Sequence, residues 1–274
     1  MHPGEMGAAI GALLVAHGHE VLWQPDGRSD ATARRAAAAG LTSVDNPLDT
    51  DVILSVCPPH AALDVARSLQ GTGALVIDAN AISPMTAQRV GDVIGERWVD
   101  GGIVGPPPQR AGTTRLYLSG PHATEASRLF AGTHLEPVIL DGSPVAASSL
   151  KMAYAAWTKG SAALLLAALE SARCNGVGEA LEAEWRRSQP DLDGRARGAA
   201  DSAAAKGWRW VGEMNEIAAT FASVGLPSGF HEAAAEMFDR AARETAPPDR
   251  AITDPPSRRY RPPRPGSARR PDPA

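Results

Sequence analysis

The sequence predicts an α/β fold with a mostly parallel sheet in its first half and an all-α second half. In the first half, short apolar runs alternate with stretches whose apolar residues recur at helical spacing. Such alternation is typical of a parallel sheet with crossover helices on its faces. From about Val145 onward the strand-like runs disappear and alanine-rich helical segments take over. We therefore expect one domain over residues 1–144 and a second over residues 145–244.

The individual elements follow from this patterning. Strands are predicted over residues 20–23, 51–56, 74–78, 97–100 and 115–119, with helices over 30–39, 61–69 and 84–94. In the second half, helices are predicted over residues 148–173, 179–189, 192–206, 208–223 and 229–244. The first of these would be about 39 Å long, because an α-helix rises 1.5 Å per residue. It is a candidate for a dimer interface, although a long buried helix in a monomer explains it equally well.

A glycine-containing turn opens the chain and leads into a helix and then into the strand that ends at Trp23. Gly4 and Gly7 would let the backbone approach a pyrophosphate, whose charge a helix N-terminus favours. His2 stands where the first glycine of G-x-G-x-x-G is expected, and the sequence shows no strand before the turn. That strand would be central to the sheet, so we expect that the natural start lies upstream or that the chain folds poorly. The prediction is a Rossmann-like domain without its first strand, with Gly4, Glu5, Met6 and Gly7 at the pyrophosphate.

The loop after Trp23 favours NADP as the cofactor of such a domain. An acidic residue would be expected here to hold the adenosine ribose of NAD. Arg28 and Ser29 suit a ribose phosphate instead, because a guanidinium and a hydroxyl both donate to phosphate oxygens. The alternative is NAD, with Asp26 at the ribose and Arg28 a solvated loop residue. Pro58 would pack against the adenosine side of the cofactor, or would simply end the strand before it.

Over about residues 2–244, the chain resembles the 6-phosphogluconate and β-hydroxyacid dehydrogenase superfamily in several motifs that occur in the same order. They are the glycine turn, V-C-P-P at 56–59, D-A-N-A-I-S-P at 78–84, D-G-G-I-V-G at 100–105, and Lys151. The resemblance implies a Rossmann domain, an all-helical second domain, an active site between them and usually a dimer. It also implies hydride transfer between NAD(P) and a hydroxyl-bearing carbon. Residues 206–218 resemble a less-studied branch without a firmly assigned substrate.

The same resemblance assigns roles to single residues. Lys151 matches the lysine that acts as general acid/base in the family, and Lys206 matches a second lysine that reaches into the cleft. Asn80 stands where the family commonly offers a small hydroxyl to the substrate, and its amide can still donate. We expect Asn80 and Lys206 to orient the substrate. For Lys206, a surface role is as well supported as an anion-binding role.

Other matched positions have lost polar groups. Val104 stands where a serine is common, residues 106–108 are prolines, and Ala155 replaces an asparagine one turn after Lys151. These changes favour a bulkier or less polar substrate than a small hydroxy acid. Glu213 and Glu216 share a helix face, and we expect that face to be solvated rather than part of a polar pocket.

Composition excludes several other classes of protein. The net charge is −4 and the pI about 6.0, which gives no reason to expect binding to nucleic acid or to an anionic membrane. Cys57 and Cys174 lie far apart without neighbours at metal-ligand spacing, so no metal is expected. Neither a signal segment nor a run of about 20 apolar residues occurs, which favours the cytoplasm. The Pro- and Arg-rich residues 245–274 are predicted to be disordered, with partner binding as the alternative.

The sequence therefore predicts an NADP-preferring oxidoreductase of the β-hydroxyacid dehydrogenase type. It would act on a small molecule, with Lys151 as acid/base, and would form a homodimer through its helical domain. The alternative is a catalytically inactive or truncated NAD(P)-binding protein.

Overall fold

The computed structural model describes residues 3–245 of the chain, and these form an α/β part followed by a helical part. The strands are β1 (Leu22–Trp23), β2 (Thr42–Ser43), β3 (Val52–Ser55), β4 (Leu75–Asp78), β5 (Trp98–Val104), β6 (Thr114–Ser119) and β7 (Leu135–Ile139). The helices between them are α1 (Glu5–Ala16), α2 (Asp30–Ala38), α3 (Ala62–Ser68), α4 (Pro84–Ile94) and α5 (Ala123–Ser127). Short 3-10 turns cover Pro59–Ala61 and Arg128–Phe130.

The main sheet has the order β3-β4-β5-β6-β7, and only the β5–β6 pair is antiparallel. The predicted α/β Rossmann-like architecture followed by an all-α region is confirmed. Its core strands are apolar on both faces, as burial between helix layers requires; every residue of β4 and β5 is buried. The predicted strand that ended at Asp100 continues through Val104.

The small sheet of β1 and β2 is separated from the main sheet. β1 pairs only with β2, and β3 pairs only with β4, so each presents an open edge to the other. A cavity of about 530 Å³ lies between these edges. Its lining includes Gly7, Ile10 and Leu14 of α1, Val21 and Leu22 at β1, and Val52 and Leu54 at β3. Within the described residues no strand fills this gap, which is where the strand before the glycine turn was expected.

The helical part consists of α6 (Ala146–Cys174), α7 (Gly178–Ser188), α8 (Leu192–Ser223) and α9 (Gly229–Thr245). The prediction of two helices over 192–223 is wrong, because α8 runs through Gly207 without a break. A Cβ at position 207 would lie 3.1 Å from the carbonyl oxygen of Phe238, so this glycine lets α8 and α9 pack closely. The predicted tail lies outside the described residues from position 246 onward.

Each part has its own apolar core. The core of the α/β part includes Ile77, Val99 and Phe130, and that of the helical part includes Met152, Met214 and Phe238. α6 is long and apolar enough to span a membrane by length and composition alone. One side of this helix packs against β5, α8 and α9.

Candidate active site

α6 begins against the end of β5, and this contact brings Lys151 to the sheet. A Cβ at Gly102 would lie 2.8 Å from the carbonyl oxygen of Ala147 and 3.1 Å from the Cβ of Lys151. Only glycine therefore permits this close approach without a shift of the backbone. Lys151 Nζ donates a hydrogen bond to the carbonyl oxygen of Ile103, 2.7 Å away. The predicted acid/base thus lies between the two domains.

The surroundings of Lys151 lower its proton affinity. Burial is the largest cause, because an ammonium loses solvation there, and the positive charge of Lys159 adds repulsion. The Glu213 carboxylate acts in the opposite direction. The resulting pKa of Lys151 is lowered from 10.5 to about 8. An amine with this pKa exchanges protons readily near neutral pH.

Asp100 fixes the start of α6 beside β5. Its carboxylate accepts hydrogen bonds from the Ser148 N–H at 2.8 Å, the Ser148 hydroxyl at 2.5 Å and the Ser119 hydroxyl at 3.0 Å. Burial raises the pKa of Asp100, and these donors oppose that rise. The carboxylate is therefore fully engaged in holding the helix that carries Lys151. The sequence marked Asp100 as a landmark but not the two serines.

Asn80 lies at the ends of β3 and β4 and is almost fully buried, with 2% of its surface exposed. Its side-chain oxygen accepts from the Cys57 N–H at 2.6 Å, and its amide donates to the Ser55 hydroxyl at 3.0 Å. These bonds join the two strand ends. Since the side chain is already bonded at both polar atoms, its predicted role toward substrate stays a prediction that these contacts do not support.

Asp78 and Cys57 lie next to Asn80. Burial raises the pKa of Asp78 from 3.8 to about 7 and that of the Cys57 thiol from 9.0 to about 11. A thiol with such a pKa is protonated at neutral pH and is not a nucleophile. Cys57 therefore belongs to the packing of the site.

α8 lies across the edge of the sheet where β3 and β4 end. Glu216 accepts from the Ser83 N–H at 2.7 Å and the Thr86 hydroxyl at 2.9 Å, at the first turn of α4. One turn earlier, a Cβ at Gly212 would be 3.8 Å from Pro59, so the helix passes close to the turn after β3. Glu213 pairs with Lys159, and both side chains are only 16% exposed. The expectation of a solvated Glu213–Glu216 face is wrong, because both carboxylates bind partners at buried or half-buried positions.

Lys206 lies further back on α8, facing the glycine turn rather than Lys151. Its Nζ is 4.0 Å from a Glu5 carboxylate oxygen, and the same oxygen is 3.8 Å from Arg209. All three side chains are about half exposed, so these ion pairs are weak. The helical domain thus presents two cations beside the predicted pyrophosphate site. Sequence reasoning had not singled out Arg209.

The glycine turn itself fits a phosphate group. Gly4 caps α1 and has no side chain that could accept from the first-turn N–H groups. A Cβ at Gly4 would meet nothing within 4 Å, and the φ of −64° does not require glycine. The fold therefore does not need a glycine here, whereas a ligand that approaches the backbone would.

The loop after β1 places Arg28 and Ser29 in solvent. The Ser29 side chain caps α2 by accepting from the Thr32 N–H at 3.4 Å. A shallow pocket in the same loop is lined by Gln24, Pro25, Asp26, Gly27 and Asp45. Asp26 therefore lines the pocket where a ribose is expected, and Arg28 lies beside it in the sequence. The two residues predicted to recognise the ribose, Asp26 and Arg28, are both exposed in this loop.

The last residue predicted to contact the cofactor is Pro58, on its adenosine side. Pro58 is exposed and precedes the 3-10 turn that α8 approaches. No group of three or more His, Cys, Asp or Glu side chains among the described residues could hold a metal ion.

Comparison with known proteins connects this geometry to described folds. Residues 172–241 match a family model described as a domain of unknown function, DUF1932. A search of curated proteins found no match. The conserved protein MTH1747, whose structure is described as similar to 3-hydroxyacid dehydrogenases, is 28% identical, with a TM-score of 0.65 over 88% of this chain and 95% of its own.

Two further solved structures have the same fold. A conserved hypothetical protein from Sinorhizobium meliloti 1021 is 28% identical, with a TM-score of 0.64 over 91% of this chain and 89% of its own. A 3-hydroxyisobutyrate dehydrogenase from Salmonella typhimurium is 16% identical, with a TM-score of 0.63 over 88% of this chain and 92% of its own. The likeness to the second of these extends to the fold alone.

Proposed function

We propose that this chain is an NADP-preferring oxidoreductase of the β-hydroxyacid dehydrogenase type, acting at a hydroxyl or carbonyl carbon, and its fold supports this proposal. The observation that carries the proposal is the position of Lys151. Its amine lies between the domains, bonded to the end of β5, with a pKa of about 8.

Lys151 would act as the acid and base of the reaction. In reduction, its ammonium donates a proton to the developing alkoxide, and in oxidation its neutral amine removes the hydroxyl proton. A bound nicotinamide cofactor would supply or accept the hydride. The hydrogen bond from the Lys151 amine to the Ile103 carbonyl oxygen orients the amine before a substrate binds. Asp100 keeps α6, and therefore Lys151, at a fixed distance from the sheet.

The residues of the glycine turn suit the pyrophosphate of that cofactor. The N-terminus of α1 favours a negative group, and its cap residue Gly4 has no side chain in the way of one. Lys206 and Arg209 would add two positive charges from the helical side. The NADP preference rests on Arg28, whose exposed guanidinium could pair with the ribose phosphate.

The substrate pocket we propose is less polar than a hydroxy-acid site. Val104 and Ala155 stand where polar side chains are expected, and both are packed in the core with 3% and 1% of their surfaces exposed, so neither position offers a side-chain hydrogen bond to a substrate. The side chain of Asn80 is bonded to the strand ends. These features support a substrate bound mainly by apolar contacts, with a polar group at the reacting carbon only.

The test is NADPH oxidation with a broad panel of carbonyl and imine compounds, comparing the unchanged protein with Lys151→Met. We expect the substitution to lower kcat by about 10²–10⁴-fold, as loss of a general acid does. Cofactor binding should be retained, since Lys151 lies away from the glycine turn. If the unchanged protein oxidises no NADPH with any compound while still binding it, the alternative of a nucleotide-binding protein without turnover is correct.

We also place this activity in the cytoplasm. Both cysteines are free, Cys57 partly buried and Cys174 exposed, which suits a reducing compartment.

A further inference from the structure

The open edges of β1 and β3 face each other across the cavity of about 530 Å³. On β3, the carbonyl oxygens of Asp51 and Ser55 accept hydrogen bonds from N–H groups of β4 and of the residue after it, each at 2.9 Å. Successive residues of a strand direct their backbone groups to alternate sides. The backbone N–H and C=O groups of Val52 and Leu54 therefore point away from β4 and toward the cavity.

The backbone of β1 follows the same alternation. The carbonyl oxygens of Val21 and Trp23 accept from N–H groups at β2, at 2.9 and 3.0 Å. Leu22 lies between them, so its backbone groups point toward the cavity. Among the described residues, neither of these two edges has a strand partner on its cavity side. Two facing rows of N–H and C=O groups suit an extended peptide, because such a peptide can pair with both rows at once.

The cavity is also the place where the main apolar core is incompletely covered. Six partly buried apolar residues pack against this core, and all of them except Met6 line the cavity; these five are Val21, Val52, Leu54, Val56 and Leu129. A strand between two parallel neighbours is covered on both faces, and its residues are therefore mostly apolar. An occupant that pairs along residues 52–56 needs about five apolar residues.

Three carboxylates line the cavity at the amino ends of the two edges. Glu20 precedes β1, and Asp49 and Asp51 precede β3. All three residues are exposed. A strand that runs parallel to β3 begins beside these carboxylates, so basic residues ahead of its apolar run complement their charge.

The parts of the printed sequence outside the described residues do not have this chemistry. Residues 1–2 can span at most about 7 Å, which is too short to pair along residues 52–56. In residues 246–274 the longest run without proline is 249–254, and three of its six residues are charged. Proline has no N–H group to donate to a strand edge.

We propose that this cavity binds an extended segment of a partner polypeptide, in which one or two basic residues precede about five apolar ones. The segment lies as a strand parallel to β3. It pairs with Leu22 on one side and with Val52 and Leu54 on the other. Pro3 and Gly7 of the glycine turn line the same cavity, so the bound segment also contacts this turn. The binding itself needs no cofactor and is therefore independent of the proposed function.

The experiment uses the full chain labelled with ¹⁵N and the synthetic peptide Lys-Lys-Val-Ala-Val-Ala-Val with blocked ends. One peptide should bind per chain and raise the melting temperature. Amide hydrogen exchange at Val52 and Leu54 should slow by about tenfold or more at saturation, because their N–H groups gain acceptors. Ile53 is the internal comparison, since its backbone faces β4. The exchange rate of Leu54 relative to that of Ile53 should therefore fall.

Two control peptides separate strand pairing and charge from apolar contact alone. In Lys-Lys-Val-Pro-Val-Pro-Val the prolines remove two N–H donors, and this peptide should not bind. Glu-Glu-Val-Ala-Val-Ala-Val should bind more weakly than the lysine peptide, because its charges face the three carboxylates.

A pair of chain variants tests the charge at the entrance of the cavity. Asp49→Asn with Asp51→Asn should weaken binding of the lysine peptide by about three- to tenfold, because two exposed carboxylates are lost. Asp191→Asn with Asp201→Asn removes two exposed carboxylates of the helical part and should leave binding unchanged.

Absence of binding at about 1 mM lysine peptide, or equal binding of the proline peptide, overturns the proposal. A rise in melting temperature that appears only when the peptide is fused ahead of Met1 also overturns it, because the segment would then belong to this chain rather than to a partner. The binding experiment contains no cofactor, so a failure of the proposed function leaves its result intact.

Discussion

Single buried side chains fix the geometry around Lys151. Asp100 uses both carboxylate oxygens on Ser148 at the start of α6 and also accepts from Ser119, and these donors oppose the rise in its pKa that burial causes. The Asp78 carboxylate has fewer hydrogen-bond donors than that of Asp100. It accepts from the Asn80 N–H at 3.0 Å, while almost all of its surface is buried. The two aspartates thus differ in how well the fold compensates their charge.

Asp78 should therefore make stability depend on pH. Its pKa of about 7 in the fold exceeds the ordinary value of 3.8, so folding favours the protonated form. That contribution is complete below pH 3.8 and is lost as the pH rises through about 7. Asp78→Asn keeps an acceptor for the Asn80 N–H without a charge. We expect this variant to be more stable than the unchanged protein at pH 8, by about 1–3 kcal/mol.

Urea unfolding at several pH values measures this difference. The exposed Asp201→Asn is the matched control and should give the curve of the unchanged protein. A constant difference between Asp78→Asn and the unchanged protein from pH 4 to pH 8 would show that Asp78 does not titrate in this window.

At the scale of elements, the contact of α6 with β5 positions Lys151. Gly102→Ala would place a methyl group 2.8 Å from the Ala147 carbonyl oxygen, and backbone atoms cannot move aside cheaply. We expect a loss of about 1–3 kcal/mol in the free energy of unfolding, as for other overpacked sites. Activity should fall as well, because α6 carries Lys151 away from the end of β5.

Gly194→Ala in α8 is the matched control for this prediction. A Cβ there meets nothing within 4 Å, so the change should stabilise the helix by up to about 1 kcal/mol. Equal stability of the Gly102→Ala variant and the unchanged protein would mean that the two elements are not in close contact.

Elements with a strong apolar pattern could be predicted from the sequence, and weakly patterned ones could not. The buried strands β3 and β4 and the helix α4 were predicted to within one or two residues. β2 has two exposed residues and β7 contains Pro137, so neither shows strand periodicity. The continuity of α8 was missed because a glycine that serves packing cannot be told from one that ends a helix.

At the scale of the whole molecule, α6 leaves an apolar face uncovered. Trp157 and Leu164 lie seven residues apart on this face and are each 71% exposed. Only 22% of the apolar stretch of α6 is buried within one chain. A second chain packed on this face would cover it, as in the homodimer that the sequence predicts.

Light scattering after gel filtration tests the dimer. The unchanged protein should have twice the mass of one chain, and Trp157→Glu with Leu164→Glu should be monomeric, because each buried apolar side chain is worth about 1.5–3 kcal/mol. Val224→Glu, an exposed apolar position at the end of α8, should leave the dimer intact. A monomeric unchanged protein would contradict the proposal.

The parts of the candidate site that lie within one sequence motif could be predicted, and the contacts between distant positions could not. The glycine turn follows from local sequence and Lys151 from the resemblance to the dehydrogenase superfamily, and both lie where the α/β part meets the helical part. The pairs Lys159–Glu213 and Glu216–Ser83 join positions 54 and 133 residues apart, so no local pattern could indicate them. The lone charge of Lys159 in an apolar helix was the one signal available.

Calorimetric titration with NADP⁺ and NAD⁺ tests the central claim most directly, namely that a nicotinamide dinucleotide binds at the glycine turn. The unchanged protein should bind NADP⁺ at one site per chain and more tightly than NAD⁺. Gly4→Val should weaken binding of both by at least about tenfold, because its side chain fills the open space above the turn. Gly73→Val also projects into open space, but away from the site, and should bind as the unchanged protein does. Absence of binding, or binding that Gly4→Val leaves unchanged, would contradict the account.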